Sequence, residues 1–131
     1  MQDQPVVLVV EDDQLIQGMV EEALAEGGFE SVTTTSGEDA LVLLEKNHGK
    51  YRALITDINL NGNLVGWDVA KRARELSPGI PVIYMTGAAG DEWTSRGVPQ
   101  SILLTKPFAP AQVVTAVAQL LNSGDPPTAP A

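Results

Sequence analysis

The chain contains no cysteine among its 131 residues, which excludes disulfide bonds and thiolate metal sites. Its apolar runs are all far shorter than the roughly 20 residues of a membrane-spanning helix. The N-terminus, MQDQPVV, lacks the basic start and the cleavage site of a signal peptide. Basic residues are scarce, with 8 against 17 acids and a net charge of −9, and such a charge repels nucleic-acid phosphates. We therefore expect a cytoplasmic protein that binds neither nucleic acid nor a membrane.

A chain of this length can bury one hydrophobic core without disulfides, and no internal repeat divides it. The last nine residues, SGDPPTAPA, are rich in proline and small side chains. Such a composition cannot bury enough apolar surface to fold. The sequence therefore predicts a single domain over residues 1–122 and a disordered tail over residues 123–131.

Apolar runs alternate along the chain with segments of helical periodicity. The runs predict strands over residues 5–10, 29–35, 51–57, 80–86 and 101–105. Helices are predicted over residues 15–24, after Ser36, around Trp67, weakly around Trp93, and from Pro110 onward. Ser36, with Asp39 three residues later, resembles a capping box and is interpreted as the N-cap of the second helix. Regular alternation of this kind is typical of a doubly wound α/β fold, in which helices cover both faces of a parallel sheet.

Ligands of such folds bind outside the carboxyl ends of the strands, and those positions can be read directly from the sequence. The residues there are Glu11 and Asp12 after the first strand, Asp57 after the third, Thr86 after the fourth and Lys106 after the fifth. Asp13 lies one step further, where a helix starts, and is interpreted as its N-cap.

Each of these residues has an ordinary explanation when taken alone. Acids before a helix are favourable at the positive end of its dipole, and a lysine is usually a solvated charge. Their common position at one end of consecutive strands favours a binding site instead. Crowded carboxylates repel one another, and a divalent cation such as magnesium or calcium relieves that repulsion. A metal, a nucleophilic carboxylate, a hydroxyl and an ammonium are the parts of a phosphoryl-transfer site.

Four motifs in this order resemble the receiver domain of two-component response regulators, of the single-domain kind similar to chemotaxis regulators. They are VVLVVEDD, LITDINL, PVIYMTG and LLTKPF, and the resemblance covers residues 5–122. It implies a flavodoxin-like fold with five parallel strands in the order 2-1-3-4-5. It also implies a cis peptide bond between Lys106 and Pro107.

The resemblance assigns a role to each site residue. Asp57 accepts a phosphoryl group from a phosphohistidine on a sensor histidine kinase or a histidine phosphotransfer protein. Lys106 pairs with the phosphorylated Asp57, and Thr86 moves to hydrogen-bond the phosphoryl group. Mg²⁺ is the only cofactor implied, held by the side chains of Glu11, Asp12 and Asp57 and by the backbone carbonyl of Asn59.

The sequence departs from the family pattern at two places. The family usually has an aromatic residue three positions before the lysine, where its rotation follows the threonine, and this chain has Leu103 there. Tyr84 or Trp93 could replace that aromatic residue, although simple packing explains both more readily. The loop NLNGNLVGW is one residue longer than usual and has Asn61 where a proline is common.

These features favour a single-domain response regulator, monomeric or weakly dimeric, that signals to an unknown downstream protein. It is not an enzyme beyond catalysing its own phosphorylation and dephosphorylation. A phosphorelay intermediate or phosphate sink, a receiver from a hybrid histidine kinase, and an adaptor that ignores phosphate remain alternatives. A flavodoxin-like redox protein would need a phosphate-binding loop after the first strand. A haloacid-type phosphatase would need its nucleophile there, together with a cap insertion.

Overall fold

Five strands and five helices alternate within residues 4–60, 62–87 and 90–122, which the structure, a computed structural model, describes. Asn61 and the predicted tail over residues 123–131 lie outside these ranges. The strands are β1 (Val6–Val10), β2 (Glu30–Thr34), β3 (Tyr51–Asp57), β4 (Val82–Thr86) and β5 (Ser101–Thr105). The helices are α1 (Gln14–Glu26), α2 (Gly37–Asn47), α3 (Gly66–Leu76), α4 (Trp93–Arg96) and α5 (Pro110–Asn122). Short 3₁₀ turns precede β3 (His48–Lys50) and α4 (Gly90–Glu92).

All strand pairs are parallel, and the strand order is β2-β1-β3-β4-β5. This confirms the flavodoxin-like fold, the order 2-1-3-4-5 and the position of the second strand at an edge of the sheet. In register, Val10 pairs with both Thr34 and Thr56, and Thr86 pairs with Thr105. The carboxyl ends of the strands therefore meet at one rim of the sheet.

The hydrophobic core has two layers because side chains alternate between the two faces of each strand. In β1, Leu8 and Val10 contribute to the layer under α2 and α3, while Val7 and Val9 contribute to the layer under α1 and α5. All four of these side chains are fully buried. Burial on both faces explains why β1 is a continuous apolar run rather than an alternating one.

Three strands begin slightly later than predicted because the residues before them donate no N–H to the sheet. The Phe29 N–H donates to the Leu24 carbonyl at 2.9 Å, which closes the end of α1 and delays β2 by one residue. The Ile80 N–H donates to the Ser77 carbonyl at 3.0 Å in a turn, and β4 starts two residues later than predicted. β1 starts one residue later, after a proline that has no N–H for a sheet ladder.

The predicted helix caps are present. The Asp13 carboxylate accepts hydrogen bonds from the Leu15 and Ile16 amides at 2.9 and 3.3 Å. The Ser36 hydroxyl accepts from the Asp39 amide at 3.1 Å and caps α2. Among the described helices, none combines the length and the hydropathy that a membrane span requires.

Candidate functional site

The carboxyl rim of the sheet brings together the residues that the sequence analysis selected. Glu11 follows β1 and is fully buried, and Asp57 closes β3 with 6% of its surface exposed. Thr86 closes β4 and is buried, and Lys106 follows β5. Asp12 is half-buried beside Glu11. The predicted convergence from four strands is therefore observed.

Lys106 connects the acids of β1 and β3. Its Nζ lies 3.1 Å from Asp57 Oδ2 and 3.2 Å from Glu11 Oε1. Its backbone N–H donates to the Thr86 carbonyl at 2.7 Å, which holds the start of the following loop against the end of β4. The Lys106–Pro107 peptide bond is cis, as the resemblance implies.

Neighbouring polar groups orient two of the acids. The Asp13 amide donates to Glu11 Oε2 at 3.0 Å, and the Gln17 side-chain amide donates to the Glu11 carbonyl at 3.1 Å. The Asn59 amide donates to Asp57 Oδ1 at 3.3 Å. These contacts leave the Asp57 carboxylate held by an amide on one oxygen and by an ammonium on the other.

The donor set fits a hard divalent cation. One carboxylate oxygen each from Glu11, Asp12 and Asp57 lies within 4.8 Å of the others. Glu11 Oε1 is buried and accepts no hydrogen bond from the residues that the structure describes, although Lys106 Nζ is close enough for an ion pair. Three negative charges thus face one ammonium in a largely buried pocket. A cation with oxygen ligands would bind the oxygen that accepts no hydrogen bond and balance the excess charge.

The pKa values of two groups reflect this crowding. Burial raises the pKa of Glu11 from its ordinary 4.5 to about 6, and repulsion by Asp57 adds to the increase. The Asp13 amide and Lys106 oppose that shift. Burial acts to lower the pKa of Lys106, but the hydrogen bond and charge of Asp57, together with Glu11, outweigh it and leave this pKa raised. The ammonium therefore stays charged at neutral pH.

The Glu11 shift predicts a pH-dependent stability of the metal-free protein. Between pH 4.5 and about 6 the folded protein keeps a proton that the unfolded chain releases, so the free energy of unfolding falls as pH rises. Above pH 6 the charged Glu11 lowers the free energy of unfolding by its full amount, about 2 kcal/mol for a pKa shift of this size. Urea unfolding with a chelator measures the dependence, and Glu11→Gln is expected to remove this component. Parallel pH profiles for the two proteins would contradict the prediction.

Leu103 is half-buried and lies beside Tyr84 in the sheet. The two residues are register partners in β5 and β4. Tyr84 is fully buried, packs edge-on against Trp67 with ring centroids 4.8 Å apart, and accepts the Val98 N–H at 3.0 Å through its hydroxyl. Trp93 is half-buried and donates to the Ser101 hydroxyl at 2.9 Å. Both aromatic residues thus have structural contacts that tie the segment between α4 and β5 to the sheet.

Tyr84→Phe is expected to destabilise the fold by about 1–3 kcal/mol, because it leaves the Val98 N–H without its buried acceptor. The amide of Val98 should also exchange faster with solvent. Urea unfolding and amide hydrogen exchange measure the two effects. Tyr51→Phe is the matched control, since that ring is also buried but lies at the amino end of β3. Equal losses in both variants would contradict a specific role of the Tyr84 hydroxyl.

Two residues that shape the site were missed by the sequence analysis. Gly66 donates its N–H to the Ile58 carbonyl at 2.8 Å and leaves no room for a side chain against the backbone of Asp57. Glu38, in the first turn of α2, accepts the Asn63 N–H at 3.0 Å. That contact joins residues 25 positions apart in the chain, and no local pattern predicts it.

Comparisons with known proteins agree with the geometry. Residues 7–118 match the family of response regulator receiver domains. A solved response regulator receiver protein from Sinorhizobium medicae WSM419 is 38% identical with a TM-score of 0.89, over 92% of this chain and 97% of that one.

Two curated proteins of Escherichia coli match this chain over part of their own length. The transcriptional regulatory protein CusR is 29% identical over 120 residues, which are 90% of this chain and 52% of CusR. The sensor histidine kinase RcsC is 32% identical over 94 residues, which are 72% of this chain and 10% of RcsC. The chain thus spans about half the length of the curated regulator and a small part of the kinase.

Proposed function

Since the chain belongs to the family of response regulator receiver domains, we propose that it accepts a phosphoryl group on Asp57 and signals through protein contacts. Receiver domains are signalling modules rather than classical enzymes, and they interact with sensor histidine kinases. The observation that carries the proposal is the contact of Lys106 Nζ with both Asp57 and Glu11 in a buried cluster of acids. A structural ion pair would need one acid, whereas this cluster holds three.

In the proposed reaction one oxygen of the Asp57 carboxylate attacks the phosphorus of a phosphohistidine. The new P–O bond forms as the N–P bond breaks, and the electron pair stays on the imidazole nitrogen, which takes up a proton. Lys106 remains beside Asp57 and pairs with the phosphoryl oxygens. Thr86, at the end of the adjacent strand, supplies a hydroxyl at the same rim. Catalysis then consists mainly of positioning and charge neutralisation.

Mg²⁺ is the proposed cofactor, and receiver domains as a family bind it at an acidic pocket. When bound, it neutralises charge that builds up on the phosphoryl oxygens. Its proposed ligands in this chain are the side chains of Glu11, Asp12 and Asp57 and the backbone carbonyl of Asn59. Glu11 Oε1, which accepts no hydrogen bond from the described residues, and the excess negative charge of the pocket support this assignment.

An apolar surface beside the site supports a histidine-bearing protein as phosphoryl donor. A cavity of about 360 Å³ is lined by Ile16, Met19, Lys106, Pro107 and Phe108, so it reaches the lysine that contacts Asp57. Leu15, which precedes Ile16 in the chain, has 86% of its surface exposed. An apolar cavity with an exposed leucine at its edge, next to a reactive site, favours contact with another protein. We propose that a histidine kinase or phosphotransfer protein docks there.

Leu103 favours a second candidate, a phosphorelay intermediate or phosphate sink. The ring of Tyr84 already fills the core beside Leu103, and Leu103 itself has no ring that could rotate with Thr86. A domain without that movement could still accept and pass on a phosphoryl group. A partner whose affinity changes on phosphorylation distinguishes the leading candidate from this one.

Incubation with acetyl phosphate tests the proposed chemistry without a kinase. We expect the intact mass to increase by one phosphoryl group when Mg²⁺ is present and to stay constant when a chelator removes it. Alkaline treatment should reverse the gain, because acyl phosphates hydrolyse readily. A protein that binds Mg²⁺ but gains no mass with any small phosphoryl donor would contradict the proposal.

A further inference from the structure

The loop between β3 and α3 carries Asn59 and is anchored at both ends by backbone hydrogen bonds. The Ile58 N–H donates to the Met85 carbonyl at 3.1 Å, and the Gly66 N–H returns to the Ile58 carbonyl at 2.8 Å. Leu60 is buried, with 8% of its surface exposed. Asn59 itself is exposed, and the hydrogen bond from its backbone N–H to Asp57 Oδ1 is long at 3.3 Å. The loop is therefore held by backbone bonds at Ile58 and Gly66, while Asn59, Gly62 and Asn63 are exposed.

The first turn of α2 lies against the part of the loop around Gly62 and Asn63. Glu38 Oε2 accepts the Asn63 N–H at 3.0 Å. Its carboxylate also lies beside Gly62, where an added Cβ would approach Oε1 to 2.9 Å. Gly62 has φ of +101°, in the left-handed region that glycine adopts without strain. At Gly37 an added Cβ would come within 2.9 Å of the Leu64 Cβ, so helix and loop are in direct contact.

We propose that Glu38 is a positioning residue for Mg²⁺ binding, because it holds the loop that carries the Asn59 carbonyl. The inference rests on the proposed Mg²⁺ site. A loop without the hydrogen bond from Asn63 to Glu38 samples more conformations, and ordering it when Mg²⁺ binds lowers the affinity. A group outside the ligand set that orients a ligand commonly has this effect on a metal site.

The competing explanation is that Glu38 only stabilises α2. A carboxylate in the first turn interacts favourably with the helix dipole. That explanation predicts a lower melting temperature for a Glu38 variant and an unchanged affinity for Mg²⁺. The two explanations therefore differ in the metal affinity and in the protection of the Asn63 amide.

Three variants distinguish the effect of the Glu38 hydrogen bond from the effect of its charge and from a general effect on the stability of α2. Glu38→Ala removes both the charge and the acceptor, whereas Glu38→Gln removes the charge and keeps an acceptor oxygen. Glu45→Ala is the control on the same helix, since Glu45 is exposed and pairs with Arg72 of α3 at 3.1 Å. Amide hydrogen exchange of Asn63 in the metal-free proteins reports on its hydrogen bond to Glu38. Titration with MgCl₂, followed by amide chemical shifts and Trp67 emission, reports on affinity.

We expect the Asn63 amide to exchange about tenfold faster in Glu38→Ala and Mg²⁺ to bind about fivefold more weakly, as the loss of one net hydrogen bond implies. Glu38→Gln and Glu45→Ala should stay within about twofold of the unmodified protein on both measures. The phosphorylation rate of Glu38→Ala at saturating Mg²⁺ should be unchanged. This pattern separates positioning for the metal from a loss of chemistry.

Equal weakening in Glu38→Ala and Glu38→Gln would assign the effect to long-range charge and overturn the inference. Faster Asn63 exchange with unchanged affinity would overturn it as well, as would an equal loss in Glu45→Ala. Failure of the unmodified protein to bind Mg²⁺ would refute the proposed metal site itself, and that result is seen before any variant is compared.

Discussion

Asparagine at position 57 is expected to reduce phosphoryl uptake from acetyl phosphate below detection. The neutral amide oxygen is a much poorer nucleophile than a carboxylate, and the substitution adds no bulk to the buried end of β3. Glu11 also contacts Lys106, but it is fully buried, so we do not expect it to replace Asp57 as the nucleophile. Intact mass spectrometry after incubation with acetyl phosphate and MgCl₂ measures the uptake.

Asp13→Asn is the matched control for Asp57→Asn. Asp13 lies at the same rim, but it is exposed and its carboxylate caps α1. Asparagine caps helices about as well as aspartate, so this variant should fold and take up a full phosphoryl equivalent. A phosphoryl gain on Asp57→Asn, or a loss of uptake in Asp13→Asn, would contradict the assignment. Thermal unfolding of both variants shows that each is folded.

The convergence of Glu11, Asp57 and Lys106 could be predicted from the sequence because it follows from strand ends alone. Each residue stops an apolar run, and parallel strands joined by helices bring all their carboxyl ends to one rim. The N-caps at Asp13 and Ser36 were likewise readable, because a cap acts on amides only two or three residues away. Such local signals do not depend on the order of the strands.

Contacts between distant segments could not be predicted in this way. The strand order came from the resemblance to receiver domains, since alternation alone allows several orders. The hydrogen bond from Val98 to Tyr84 joins residues 14 positions apart, and the hydrogen bond from Asn63 to Glu38 joins residues 25 positions apart. Their acceptors are a tyrosine in an apolar run and one acid among several in a helix, and neither stands out locally.

Alanine at position 66 is expected to destabilise the fold by about 3 kcal/mol, at the upper end of the usual cost of overpacking. The added Cβ would collide with the Asp57 carbonyl oxygen and lie 2.8 Å from the Ile58 Cα. These are backbone atoms between the anchored end of β3 and the start of α3, so no rotamer change can relieve the contact. The backbone that must move carries Asp57 itself, and we expect Gly66→Ala to slow phosphoryl uptake as well.

Gly18→Ala provides a control of opposite sign. Gly18 lies exposed inside α1, and an added Cβ would meet nothing within 4 Å. Alanine is the better helix former, so this variant should be more stable by about 0.5–1 kcal/mol and take up phosphate normally. Urea unfolding of both variants measures the difference. A Gly66→Ala protein as stable as Gly18→Ala would mean that the turn between β3 and α3 yields without cost. The close packing of Gly66 on Asp57 would then not be what holds the proposed phosphoacceptor in place.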